Sequence, residues 1–225
     1  MKELAKSERA EGGSGKGTTA TQERSSSTRG PASEFPLNPQ DTAILLIDFQ
    51  EGVLELSQTV EADRLRAVAV RLIKLARLFD IPVVVTTALL DRPTGVMPDI
   101  AEALGSAAHH VPGRSTANAF THLPTANEIA DLGRSTLLLA GVLTEVMIQH
   151  TGLSGADRGY DVQVVVDACG ALSPRTEDAA LRRLTQAGVI MTSSASIAAQ
   201  LMGDLTQSPK AAEALKLLFE ISAAA

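Results

Sequence analysis

From residue 41 onward the chain alternates short, continuously apolar runs with longer stretches whose apolar positions recur at helical spacing. The runs are AILLID (43–48), PVVVTT (82–87), STLLLAG (135–141), VQVVVD (162–167) and VIMTS (189–193). They are rich in Val, Ile and Leu and lack the alternation of a strand with one wet face, so each reads as a strand buried on both faces. Between them, VEADRLRAVAVRLIKLARLF (60–79) sets Leu65, Val68, Leu72, Leu75 and Phe79 along one side of a helix. LTEVMIQHTGLSGADRG (143–159), RTEDAALRRLTQAG (175–188) and SIAAQLMGD (196–204) read as later helices, two of them running out near glycine. Strand and helix in alternation predict an α/β fold, a mainly parallel sheet covered by helices on both faces. A last apolar-striped segment, KAAEALKLLFEI (210–221), has no strand after it, which makes it a candidate for packing against a neighbouring subunit.

Residues 1–35 break the pattern, being rich in Ser, Gly, Thr and mixed charge with almost no large apolar side chain. Such a stretch cannot bury enough surface to offset the entropy of ordering, so it reads as a disordered tail. Within it GGSGKGTT imitates a phosphate-binding loop, but Ala10 stands where the first glycine is required and no buried strand feeds it, so a flexible linker explains it better. The expected organisation is thus a tail over 1–35, one domain over 36–205 and a C-terminal helix over 206–225.

Composition narrows the function. At 225 residues the chain accommodates one domain plus tails, and with 3% aromatics and no Trp its core must be aliphatic. A net charge of -6 gives no basic surface for phosphates, so nucleic acid is not the expected partner and a small-molecule substrate is. One cysteine, Cys169, allows no intrachain disulfide. No apolar run approaches the roughly 18 residues of a membrane span, and no apolar leader follows the N-terminal charges. The expectation is a cytoplasmic enzyme or binding protein with no membrane partner.

In an open parallel sheet, ligands gather at the carboxyl ends of the strands. The first strand ends there in Asp48, followed by Phe49 and Gln50; another runs into Gly141–Met147; the fifth ends in Asp167, with Cys169 just beyond. A carboxyl at the end of AILLI would be partly desolvated, which raises its proton affinity and suits it to proton transfer, unless it merely caps a turn. FQEGVLEL lacks the Gly-x-Gly-x-x-Gly set, which argues against a dinucleotide, and no cofactor is expected. His109 and His110 would point apart, and His122 and His150 stand alone, so solvated or capping roles suit them better than metal ligation.

Three segments together resemble the isochorismatase-like hydrolase superfamily, the cysteine-hydrolase group that includes nicotinamidases: DTAILLIDFQEGVL, GVLTEVMIQHTGLSGADRGYDVQVVVDACGA and EDAALRRLTQAGVIMTS. The resemblance covers most of residues 40–203 in order. It implies a Rossmann-like three-layer αβα sandwich of strand order 3-2-1-4-5-6, a homo-oligomer, and a non-proline cis peptide at Val142–Leu143 that aims backbone amides into the pocket. Amidases of the group use an Asp, a Lys and a Cys. The Asp matches Asp48, with the frequent Gln at Gln50. The Cys of Gly-Val-x-Thr-x-x-Cys matches Met147, the register being fixed by Gly141, Val142, Thr144 and Glu145. The Lys, six residues before an aromatic, matches Arg114 in RSTANAF with Phe120 as the aromatic; a second register, in which the cation precedes Pro-Gly, puts Val111 there. Gln50, Phe120, Val142, Leu143 and Thr144 are then the expected substrate contacts, with Asp48, Arg114 and Met147 at the catalytic positions.

A thioether has no proton to lose and cannot form and release a thioester, so covalent catalysis at position 147 is excluded. A guanidinium stays protonated and cannot relay protons as a tuned lysine does. Cys169 follows a strand rather than opening a helix, and reads as packing. The isochorismatase branch of the superfamily also lacks the thiol and hydrolyses a vinyl ether, with the Asp as acid and water as nucleophile. Two expectations follow: a cysteine-independent hydrolase of a C–N amide or vinyl-ether type bond centred on Asp48, or a silent member that binds a small ligand or serves assembly. Polar Gln50, Glu145, Gln149 and His150 near the site favour the first; loss of both Cys and Lys favours the second. Met147 as a plain core methionine is the bland alternative.

Overall fold

The computed structural model describes residues 37–89, 95–107 and 109–224, with no description of the side chains of 107 and 221–224. The tail read over 1–35 lies outside them. Six strands, β1 (Thr42–Ile47), β2 (Val83–Ala88), β3 (His109–Arg114), β4 (Thr136–Val142), β5 (Asp161–Gly170) and β6 (Ile190–Thr192), form one sheet in the order β3-β2-β1-β4-β5-β6. Every pairing is parallel. Helices α1 (Ala62–Leu78), α2 (Pro98–Leu104), α3 (Leu123–Asp131), α4 (Gln149–Asp157), α5 (Pro174–Gln186), α6 (Ser194–Met202) and α7 (Ala211–Ala224) cover it. The fold is the three-layer α/β arrangement that strand–helix alternation predicts.

Successive residues of β1 divide between two cores because strand side chains alternate in face. Ile44 and Leu46 join Leu65, Val68, Leu72 and Leu75 of α1, Ile100 of α2 and Ile197 of α6. Ala43, Leu45 and Ile47 join Ile129 of α3, Ile148 before α4 and Leu184 of α5. All six residues of β1 are buried, which is why the run carried no polar alternation. Helix α7 lies on α1 and α6 of its own chain, burying Ala211, Ala214 and Leu217, while Phe219 is 66% exposed. Among the described residues no helix is long and apolar enough to cross a membrane.

Five elements differ from the sequence reading. Strand β3 is HHVPGR, an edge strand with a mostly wet pattern that no apolar run announces. Helices α2 and α3 are short and each opens on a proline in its first turn, whose fixed φ suits that position. Strand β5 continues past Asp167 through Cys169 to Gly170. The helix expected over 143–159 begins instead as a wide five-residue turn, Thr144–Ile148, with Gln149 N–H donating to the Thr144 carbonyl, before α4 proper.

Candidate active site

Asp48 is the first residue beyond β1 and takes a left-handed backbone conformation at φ 61°. Its N–H donates to the Thr86 carbonyl at 3.0 Å, so the turn is tied to the end of β2. The side chain is fully buried. Next to it Gly141, at φ +144°, lies so close that an added Cβ would stand 2.1 Å from the Ile47 carbonyl oxygen. Only glycine lets β4 meet β1 at this point.

Arg114 reaches the same place through an irregularity. Thr86 pairs with Val111 and Ala88 with Arg114, so three steps along β3 match two along β2. The extra residue is a bulge at Pro112–Gly113, with Gly113 at φ +75°. It turns Arg114 onto the face that Val111 occupies, toward the second core, rather than the opposite one. The residue is 2% exposed. Nη2 donates to Asp48 Oδ2, and Nη1 donates to the Thr116 carbonyl and, at 3.5 Å, to Met147 Sδ. Burial raises the Asp48 carboxyl above its ordinary 3.8, against the opposing pull of Arg114.

The wide turn carries Met147. The peptide Val142–Leu143 is cis. The Leu143 carbonyl accepts from the N–H groups of Val146, Met147 and Ile148 at 3.1, 2.8 and 3.3 Å. Those three amides are therefore engaged inside the turn and cannot polarise a substrate, which confines the expected amide contacts to the residues before Val146. Glu145 fastens the turn to α5: its Oε1 accepts from Leu172 N–H at 3.0 Å and from Thr176 Oγ1 at 2.7 Å. Met147 is half-buried against the second core.

Arg114 thus touches both Asp48 and Met147, and several of the expected substrate contacts have partners within the protein. Gln50 is fully buried, accepts from Ala88 N–H at 2.6 Å and donates to the Ala88 carbonyl at 3.3 Å, so its amide holds the end of β2. Thr144 is buried, its Oγ1 within 3.1 Å of the Gly170 carbonyl and 3.2 Å of Glu177 Oε1. Phe120 is 4% exposed and stacks on Tyr160 with ring centroids 5.6 Å apart, under the Arg158 guanidinium. It packs the loop 115–120 onto α4, where Asn118 Nδ2 donates to Ser154 Oγ at 2.7 Å. Val142 and Leu143 are 0% and 8% exposed. Cys169 pairs with Gly141 inside the sheet, and burial pushes its thiol up to about 12, so it holds its proton at neutral pH. Among the described residues no three His, Cys, Asp or Glu side chains gather to hold a metal. A separate cavity of about 300 Å³, lined by Val85, Val96, Leu104 and His110, lies on the opposite face of the sheet.

With this geometry in view, comparison with known proteins decides the relationship: the isochorismatase domain model matches residues 42–196. The chain belongs to the isochorismatase family. The probable hydrolase YcaC of Escherichia coli is 31% identical over 168 residues, 75% of this chain and 81% of that protein. Isochorismatase domain-containing protein 2 of Bos taurus is 33% identical over 186 residues, 82% and 86% of the two chains. Among solved structures, the Escherichia coli YcaC gene product, an octameric hydrolase of unknown specificity, superposes with TM-score 0.76 at 28% identity, covering 85% of this chain and 91% of that one. YcaC from Pseudomonas aeruginosa with hexane-2,5-diol and covalent acrylamide gives TM-score 0.75 at 28% identity over 85% and 92%.

As an isochorismatase-family chain it carries two site residues that the sequence reading passed over. Thr116 supplies a carbonyl to Arg114, a contact made by backbone and therefore invisible in residue type. Thr86 sits fully buried two residues before the end of β2, and its signal was legible: a hydroxyl near the close of the run PVVVTT, toward a carboxyl strand end.

Proposed function

We propose that this protein is a cysteine-independent hydrolase of a small molecule carrying a C–N amide or vinyl-ether type bond, with Asp48 as the proton-transfer group. The observation that carries this is a fully buried carboxyl, its proton affinity raised by that burial, bonded to a guanidinium that also reaches Met147 Sδ. A carboxyl whose proton affinity burial has raised can protonate a vinyl ether or a leaving nitrogen, and after losing its proton can accept one from water. Arg114 keeps a fixed positive charge at the site, suited to orienting an anionic or carbonyl group. Met147 then bounds the site as an apolar wall. The octameric YcaC relative supports a homo-oligomer as the working form.

One observation favours a second reading, a silent member that binds a ligand or serves assembly: the Asp48–Arg114 pair is closed, with side chains 0% and 1% exposed. The two separate on a panel of amides, N-carbamoyl compounds and isochorismate assayed with wild type and Asp48→Asn. Turnover that disappears in the variant supports the hydrolase. No turnover on any of them, with tight binding of a small acid, supports the silent member.

A further inference from the structure

Among the described residues, five buried side-chain polar atoms have no hydrogen-bond partner, and three of them stand at the ends of adjacent strands: Asp48 Oδ1, Thr86 Oγ1 and Arg114 Nε. All three residues are at most 2% exposed. Buried polar atoms are nearly always satisfied, so three orphans on neighbouring strands point to a shared partner. Their placement converges. Asp48 is bonded to the Thr86 backbone at 3.0 Å. Thr86 pairs with Ile47 and Val111, both of the second core, so its side chain lies on the face where the bulge sets Arg114. Oδ1 and Nε are the unused ends of one ion pair. A side-on fork would join Nε and Nη2 to both carboxylate oxygens, whereas here only Nη2 and Oδ2 meet.

The chemistry of the three is complementary to one neutral oxygen. With the carboxylate ionised, Oδ1 only accepts, Nε–H only donates, and a hydroxyl does both. A water molecule that donates to Oδ1, accepts from Nε–H and exchanges a bond with Thr86 satisfies all of them, and three partners is the usual number for a buried water. An apolar thioether alongside leaves such a water no competing site on residue 147.

We propose that Asp48 Oδ1, Thr86 Oγ1 and Arg114 Nε hold one ordered water, the oxygen nucleophile that Met147 cannot be, with Thr86 as its positioning residue; the nucleophilic role rests on the hydrolase reading above. The step balances. For a C–N amide, ionised Asp48 takes a proton as the water oxygen bonds the carbonyl carbon, and returns it to the leaving nitrogen as the C–N bond breaks. For a vinyl ether, protonated Asp48 first gives its proton to the terminal alkene carbon, and the water then bonds the oxocarbenium carbon and returns a proton to Asp48. The hemiketal C–O bond breaks with its hydroxyl proton passing to the leaving oxygen.

The test is a crystal structure of the full chain with no added substrate, together with Thr86→Val and Thr86→Ser. A solvent peak within hydrogen-bond distance of the three atoms, lost in Thr86→Val and kept in Thr86→Ser, is the expected result. Thr86→Val then lowers Tm by roughly 2–6 °C, because the water loses a partner in a buried site. On any substrate turned over, Thr86→Val lowers kcat with KM little changed, and Thr86→Ser restores it. Direct bonding among the three side chains with no solvent between them, and a Thr86→Val protein at least as stable as wild type, would overturn the proposal. Turnover that survives Asp48→Asn would sink the hydrolase reading alone, since the crystallographic answer does not depend on catalysis.

Discussion

At the scale of single residues, the Asp48 carboxyl sets the pH response. Its folded-state pKa lies above the ordinary 3.8, so native Asp48 keeps a proton that the unfolded chain has released in a window opening near 3.8. Its contribution to stability is present below that window and lost as pH rises through the folded value. Urea unfolding of wild type and Asp48→Asn from about pH 4 to 8 should show the wild-type advantage shrinking as pH rises. A difference that is flat, or that grows with pH, would show that Arg114 outweighs burial. Position 147 gives a second prediction. In Met147→Cys the new thiol lies near the Arg114 guanidinium, which favours thiolate, whereas Cys169 is buried with its thiol near 12. Iodoacetamide at neutral pH should modify position 147 at least about tenfold faster, and adding Arg114→Ala should slow it. Equal rates at the two thiols would place residue 147 outside any pocket.

Among the elements, the ends of strands and the wide turn decide where these side chains meet. Gly141→Ala would drive a Cβ into the Ile47 carbonyl, and a loss of about 2–4 kcal/mol in chemical denaturation is expected. The Glu145 link between the turn and α5 should cost about 1–3 kcal/mol in Glu145→Ala, with Glu145→Gln less damaging because its carbonyl oxygen still accepts from Leu172 N–H. A Glu145→Ala protein as stable as wild type would mean that the turn holds its shape unaided. The sequence showed the buried strands clearly, since a strand with both faces covered has nowhere to place polar residues. It did not show β3, whose edge position lets HHVPGR stay polar, nor the bulge, which exists only against the register of β2. The wide turn was hidden too, because one extra residue in a turn leaves the apolar spacing of a helix intact. The cluster of Asp48, Arg114 and Met147 could be named from motif spacing, while the backbone and core contacts of Gln50, Thr144 and Phe120, residues expected at the substrate, could not. Residue type does not say where an amide or a ring is engaged.

For the whole molecule, the two cores have unequal roles. One is a broad aliphatic layer under α1, α2, α6 and α7, and the other, under α3, α4 and α5, lies on the face where Arg114 and Met147 meet. Helix α7 buries one stripe on its own chain and leaves Phe219 66% exposed. If that face meets a second subunit, Phe219→Glu should shift the sedimentation coefficient toward smaller species with the far-ultraviolet spectrum unchanged. An unchanged coefficient would place the subunit contact elsewhere. The bulge in β3 has a consequence at this scale as well. Facing in a strand is a matter of parity, and the extra residue makes an odd separation behave as an even one, so Val111 and Arg114 look the same way. The two positions that could carry the family's cation are therefore not rivals for the site but successive rungs above it. A lysine introduced by Val111→Lys, beside Arg114→Ala, would approach Asp48 from one rung deeper, whereas deleting one residue at Pro112–Gly113 would turn the cation to the far side of the sheet.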